Sequence, residues 1–340
     1  MSLVQITKSG TIFSGKEEDL KHLHTKFNQN HCIKLSDFLE PGLLQFIQKE
    51  LDKDGFYKDK YKVGKDKAVG FLPKNKTVNS LLHFLINEQT LFQLIQKITG
   101  CSQIGCFTGR VYSKIPNQGQ YDSWHDDLTD NRMISISINL SKEIYSGGFL
   151  QILESKSGKI IHEIANTGFG DAIIFRLSQD LKHRVSKVDG TVTRTTFTGW
   201  FRSKPIYKPI FSPLIKQRTS NLKIKSQKLN LTASKYSTIT IHKKLFFRNI
   251  KDQILIFNPD NTKCFALNGI GTKILDLLKE QVTITDIQDA ILKEYDVESN
   301  QCKQDIQSLL QEFLINGFIV IREKGSAHQV PEKQLTPVKI

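Results

Sequence analysis

The chain has 340 residues, of which 39% are hydrophobic and 24% charged, and its formal net charge is +14. That length suits two domains of ordinary size, and 21 Phe residues can furnish a core. No run of about 18 apolar residues occurs, which excludes a membrane-spanning helix, and the first residues lack a signal-peptide pattern. The positive charge permits a nucleic acid, an anionic surface or an acidic peptide as partner. The cysteines, Cys32, Cys101, Cys106, Cys264 and Cys302, are odd in number and contain no CxxC pair. Reduced, buried thiols in a cytoplasmic protein are therefore expected, without a disulfide framework.

Residues 1–30 read as polar and irregular. Ile33–Leu35 reads as a short strand, and Glu40-Pro41-Gly42 opens a helix carrying Leu43, Leu44, Ile47 and Leu51 at helical spacing. Lys53 to Lys76 reads as a lysine-rich loop. A second helix is predicted over Val78–Thr99, stopped by Gly100. From Phe107 the pattern turns to short strands: Phe107–Tyr112, Met133–Asn139, Gly148–Leu153, Ala172–Phe175 and Thr193–Phe201. Helices followed by a block of strands predict a β-sandwich or barrel with helices outside.

Arg202 to Lys235 holds Arg202, Lys204, Lys208, Lys216, Arg218, Lys223, Lys225, Lys228 and Lys235 and no acidic residue, so it reads as a basic linker. A compact second module follows. Thr238–Phe247, Gln253–Phe257 and Lys263–Leu267 are strand-like, with a turn over Arg248–Asp252. Helices are predicted over Ile270–Lys279, from the Thr283–Asp286 cap to Glu294, and over Gln301–Ile315, before a last strand Phe318–Ile321. The final residues are polar and expected to be disordered.

The chemistry-bearing residues lie in the strand block. His125 and Asp127 are two apart, and positions i and i+2 of a strand face one side, so the pair can grip one ion. Asp126 would replace Asp127 if the segment were not extended. His183, past the strand at Gly170–Phe175, offers a second imidazole. Two histidines and one carboxylate leave coordination positions open, which suits non-haem Fe(II) binding a co-substrate and O2. Arg194 stands about one strand later, and a buried guanidinium can hold a carboxylate through two bonds. Thr196, Thr198 and Trp200 share its face, with Phe197 and Phe201 on the other. Arg184 is a rival cation but stands close to the metal loop. His162 reads as structural, and Trp124 and Trp200 as cavity wall or core.

Over residues 30–203 the sequence resembles the prolyl 4-hydroxylase-like branch of the Fe(II)/2-oxoglutarate dioxygenases. The resemblance rests on Ile33–Leu51, Arg110-Val111-Tyr112, Trp124–Asp127, Gly147–Leu150, and His183 through Arg194 to Phe201. It implies an α+β chain with a double-stranded β-helix, or jelly-roll, domain over residues 1–203. It implies His125, Asp127 and His183 as iron ligands, Arg194 with Tyr112 and Thr196 at 2-oxoglutarate, and Fe(II), 2-oxoglutarate and O2 as cofactors, with ascorbate as a possible support. The implied reaction oxidises a C–H bond while 2-oxoglutarate becomes succinate. Arg194 lies one residue further from His183 than the branch's commonest spacing; a bulge or longer turn near Asp189-Gly190 would absorb it.

Residues 238–323 resemble the PqqD-like leader-peptide recognition elements, in Lys263–Asn268, Leu267–Gly271, Ile274–Leu278, Thr283–Ala290, Glu294–Asp296 and Leu309–Val320. That implies a small winged-helix-like βββααα domain over 236–323, between the 204–235 linker and a 324–340 tail. It further implies a precursor-peptide partner, its leader added as a strand near Lys263 and Phe265 beside Gln304 and Leu314. Together the resemblances imply an oxygenase that hydroxylates a side chain of a ribosomally made precursor. The alternative is an oxygenase acting on nucleic acid or another protein, with the winged helix as its binding module. Against nucleic acid, the third helix carries Asp305 and Glu312 beside Lys303.

Overall fold

The computed structural model describes residues 2–63, 66–74, 76–116, 122–129, 131–165, 168–204, 238–250, 253–267, 269–295 and 297–322. The basic stretch from residue 205 to 235 and the polar tail from residue 324 lie outside the described residues. The chain packs as two compact units. One takes the described residues of Met1–Ser220 with Phe246–Ala266, the other those of Asn221–Leu245 and Leu267–Ile340.

Residues 2–30 form regular elements where irregular structure was expected. They form a hairpin of β1 (Val4–Ile6) and β2 (Thr11–Phe13), then helix α1 (Glu17–Asn30). Only Leu20, Leu23 and Phe27 of α1 are buried. So narrow an apolar stripe is easily hidden in a polar sequence. Strand β3 (Cys32–Leu35) and helix α2 (Pro41–Asp54), with proline in its first turn, follow as predicted.

The lysine-rich stretch is not a loop but a hairpin, β4 (Phe56–Val63) with β5 (Asp66–Pro73). Its place explains the composition, since β4 is an outer strand of its sheet and lysines guard such edges. The predicted long helix is also two, α3 (Thr77–Ile86) and α4 (Gln89–Thr99). Asn87 breaks it. Its side-chain amide donates to the His83 carbonyl at 2.8 Å, and its side-chain oxygen accepts from the Phe107 N–H at 2.8 Å.

The strand block runs β6 (Cys106–Lys114), β7 (Arg132–Asn139), β8 (Ser146–Gly147), β9 (Leu150–Glu154), β10 (Ile160–Ile164), β11 (Ala172–Arg176), β12 (Leu181–Val185), β13 (Val188–Asp189) and β14 (Arg194–Arg202). A large antiparallel sheet has the order β3-β11-β7-β14-β6-β5-β4, and a smaller one the order β10-β9-β12. Strand alternation divides the labour. Phe107, Val111, Ile134, Ile136, Ile138, Phe197 and Phe201 join one core with residues of the helices. The intervening Thr108, Arg110, Tyr112, Ser135, Ser137, Thr198 and Trp200 line a cavity of about 420 Å³. Leu150, His183 and Val185 of the small sheet line it too.

Strand β15 (Thr238–Ile241) ends early, where a single strand to Phe247 was expected, because Lys243-Lys244 forms a turn. β16 (Phe246–Ile250), β17 (Gln253–Asn258) and β18 (Lys263–Leu267) make a three-stranded sheet. Within the expected module of residues 236–323, the segment Phe246–Ala266 groups with the first unit. There the Phe246 ring lies 5.5 Å from Phe46, and Phe257 stacks on Phe84 at 5.2 Å.

In the second unit β15 pairs with β19 (Ile319–Arg322). Between them run α5 (Gly269–Leu277), α6 (Ile284–Glu294) and α7 (Ser299–Ile315), around Ile274, Leu275, Ile287, Ile291, Leu310 and Phe313. The Thr283 hydroxyl and Asp286 carboxylate cap α6 reciprocally, as its sequence predicts. No helix among the described residues is long and apolar enough to cross a membrane.

Candidate metal centre and co-substrate cavity

His125, Asp127 and His183 converge at one end of the cavity, each with a ligand atom within 4.8 Å of the others. His183 projects from β12. His125 sits on an isolated bridge to it: the His183 N–H donates to the His125 carbonyl at 2.8 Å, and the reverse bond is 3.1 Å. The convergence does not come from strand alternation. Asp127 is left-handed, with φ +58°, and this turn brings its carboxylate back beside the imidazoles. Asp126 is exposed and accepts from the Leu128 N–H, outside the cluster.

The donor set fits a metal. His125 Nδ1 meets the Ser123 carbonyl oxygen at 2.7 Å, so Nδ1 carries the proton and Nε2 is left as a ligand atom. Burial pushes the His183 imidazole below its ordinary pKa, which favours the neutral form that ligates. Burial alone would raise Asp127. The hydrogen bond to His183, the charges of both histidines and the Trp200 N–H outweigh it and hold the carboxyl at about 2. Its Oδ2 accepts from Trp200 Nε1 at 2.9 Å and its Oδ1 from Arg132 Nη1 at 3.3 Å.

At the other end stands Arg194, 2% exposed. Its contacts to Thr196 Oγ1 and Ser137 Oγ are both long, at 3.4 Å, and its buried Nε has no partner among the described residues. Tyr145 adds a side-chain hydrogen bond to the guanidinium, and the unmatched Nε suits an incoming carboxylate. Tyr112 lines the same cavity, whereas Thr196 is fully buried and reaches it only through Arg194. The segment between β12 and β14, where a bulge or longer turn was expected, holds a short strand and a turn. There β13 pairs with β8 and Gly190 turns at φ +76°. Arg184, the rival, stacks on Trp124 at 4.3 Å and donates to Gln151 at 2.7 Å.

Four contributors escaped the sequence reading. Tyr145 is buried with its ring 5.8 Å from the Arg194 guanidinium; it stands two residues before Gly147-Gly148, which was the available signal. Lys114 and Asp122 form a buried pair at 2.7 Å, with Asp122 on the cavity wall. Arg132 opens β7 beside Asp127, and nothing in its local sequence marks it. Trp200, expected as wall or core, is also a hydrogen-bond donor to Asp127.

Of the peptide-side residues, Lys263 and Phe265 are half-buried on β18, Gln304 is exposed on α7, and Leu314 is half-buried on α7. The first two stand in the first unit and the last two in the second.

Residues 109–202 match the family model of the 2OG-Fe(II) oxygenase superfamily. Residues 253–319 match that of coenzyme PQQ synthesis protein D, PqqD. No curated protein matches the sequence. Among solved structures, one similar chain is a Pseudomonas putida prolyl-4-hydroxylase, at 18% identity over 54% of this chain and 99% of that one, with a TM-score of 0.40. Another is a 2OG-Fe(II) oxygenase family oxidoreductase from Burkholderia pseudomallei, at 12% identity over 56% and 94%, with a TM-score of 0.43. A third is TbiB1, solved with the TbiA(beta) leader peptide, at 24% identity over 26% and 99%, with a TM-score of 0.23. One polypeptide thus holds a segment that matches the 2OG-Fe(II) oxygenase superfamily model and another that matches the PqqD model.

Proposed function

We propose that the protein is an Fe(II)- and 2-oxoglutarate-dependent oxygenase that hydroxylates a side chain of a ribosomally synthesised precursor peptide. The carrying observation is the cavity with the His125, Asp127, His183 cluster at one end and the buried Arg194, its Nε unmatched among the described residues, at the other. The two facing sheets support a double-stranded β-helix for this part. When bound, iron, 2-oxoglutarate and O2 supply the oxidising chemistry, with succinate and CO2 as co-products.

The protein's own residues do the placing. His125, Asp127 and His183 hold the metal, and Arg194, with Tyr112 and Tyr145 beside it, holds the distal carboxylate of the co-substrate. The apolar walls Leu150, Ile173, Phe175 and Val185 limit water. The PqqD segment is the leader-binding element, with Lys263 and Phe265 on β18 as candidate contacts for an added strand. Its capture of the leader raises the local concentration of the core peptide. The exposed face of α7 mixes Lys303 with Asp305 and Glu312, which favours a peptide over a nucleic acid.

The test incubates the full chain anaerobically loaded with Fe(II), then with 2-oxoglutarate, air and the peptide encoded beside its gene, with and without leader. The expected product is a one-oxygen mass increase on the core that falls sharply when the leader is removed. Equal turnover of leaderless core would remove the leader from the function. Salt-sensitive binding of DNA or RNA without peptide binding would replace the substrate class.

A further inference from the structure

Asp127 is gripped from two directions. Trp200, on β14, donates to Oδ2, the oxygen that also lies 3.5 Å from His183 Nε2 and 3.7 Å from His125 Nε2. Arg132, on β7, donates to Oδ1. The two grips are one structure, because the Arg132 guanidinium stacks on the Trp200 ring with its carbon 3.8 Å from the centroid. The carboxylate therefore has one oxygen facing the imidazoles and the other turned to a fixed cation.

A carboxylate can give a metal one oxygen or two. With two, it takes a coordination position that a chelating co-substrate needs. We propose that Arg132 and Trp200 are positioning residues that hold Asp127 as a one-oxygen ligand and so keep the place of 2-oxoglutarate open. This rests on the iron reading of the site.

The proposal separates two affinities that a general loosening of the site would move together. In Arg132→Met the stem still covers Trp200, but Oδ1 is released to become a second donor. Fe(II) should bind as tightly as before or more tightly, while 2-oxoglutarate should bind about ten-fold or more weakly. Arg132→Lys keeps a cation and should restore much of the co-substrate affinity. Trp200→Phe keeps an aromatic ring beside Arg132 and removes the N–H donor with the rest of the five-membered ring; it should leave Fe(II) affinity near wild type and weaken 2-oxoglutarate.

The experiment titrates the full chain anaerobically, first with Fe(II), read by calorimetry, then with 2-oxoglutarate, read by the visible charge-transfer band of its chelate, after circular dichroism has matched each variant to wild type. Wild-type protein that binds no Fe(II) overturns the iron reading itself. Wild-type binding with Arg132→Met and Trp200→Phe either unchanged, or weakened for both ligands alike, overturns the positioning role alone.

Discussion

Arg248 and Glu88 face each other inside the first unit, with Arg248 Nε 3.7 Å from Glu88 Oε2 and both side chains under a tenth exposed. The guanidinium also donates to the carbonyl oxygens of Lys8 at 2.9 Å and Thr7 at 3.0 Å, and Glu88 accepts from the Thr11 N–H at 3.0 Å. Burial lowers the Arg248 pKa to about 10, against the pull of Glu88. One residue from the C-terminal third of the chain thus closes a polar cluster built from its beginning and from the α3–α4 junction. Removing one partner of such a pair leaves the other buried and uncompensated. Arg248→Met should destabilise the first unit by about 3–5 kcal/mol, and adding Glu88→Gln should recover part of the loss. Thermal denaturation of the full chain checks both; an unchanged melting temperature for Arg248→Met would show the cluster to be dispensable.

Gly148 sets the position of Arg194. Its φ is +64°, and a Cβ there would lie 2.7 Å from Arg194 Cδ and 3.2 Å from the Tyr145 ring. Gly148→Ala should push the guanidinium aside and weaken 2-oxoglutarate binding by about ten-fold or more. Gly190→Ala is the control, since φ is +76° there but nothing lies within 4 Å of its Cβ. Equal effects in the two variants would attribute the loss to backbone strain and not to crowding.

Lys114 neutralises Asp122 at the cavity wall. With Lys114→Met the carboxylate would face both a dianionic co-substrate and a dry interior. The expected cost is again about 3–5 kcal/mol of stability, together with weaker 2-oxoglutarate binding. Asp122→Asn in the same background should relieve the repulsion. Paired melting and co-substrate titrations distinguish the two losses.

The metal-free protein should show an acid limb due to Asp127. Its folded carboxyl, at about 2, lies below the ordinary 3.8. The stabilisation is therefore complete above 3.8 and is lost as the pH falls through the folded value. Asp127→Asn should flatten the part of the stability profile between those two values. An identical acid limb in the variant would assign it to other carboxyls.

The triad and Arg194 were legible because residue type alone narrows the chemistry: imidazoles near a carboxylate, and a cation among strand residues. The reason offered for His125 and Asp127 was nevertheless wrong. They meet through a left-handed turn, which Asp tolerates without advertising. Strands β6, β7, β9, β11 and β14 were readable from runs of strand-forming residues between turn residues, whereas β8, β12 and β13 were not, and β12, which carries His183, read as a loop. The β1–β2 hairpin is two three-residue strands, too short for a period to register. Tyr145, Lys114 and Arg132 were invisible for another cause. Each acts on a residue from a different strand or loop, and such pairings are set by sheet order. The partition of Phe246–Ala266 into the first unit was hidden likewise, because Phe246 and Phe257 suit any apolar surface and only tertiary packing selects one.

The two-way backbone bonding between His125 and His183 has a consequence for the life of the protein. Two imidazoles tied together through their own main chain keep their spacing without a bound ion. Loss of iron should then leave a receptive vessel, ready to be refilled, with no refolding step between. On the proposed iron reading, occupancy would follow the ferrous iron of the surroundings, and refilling would need no new synthesis.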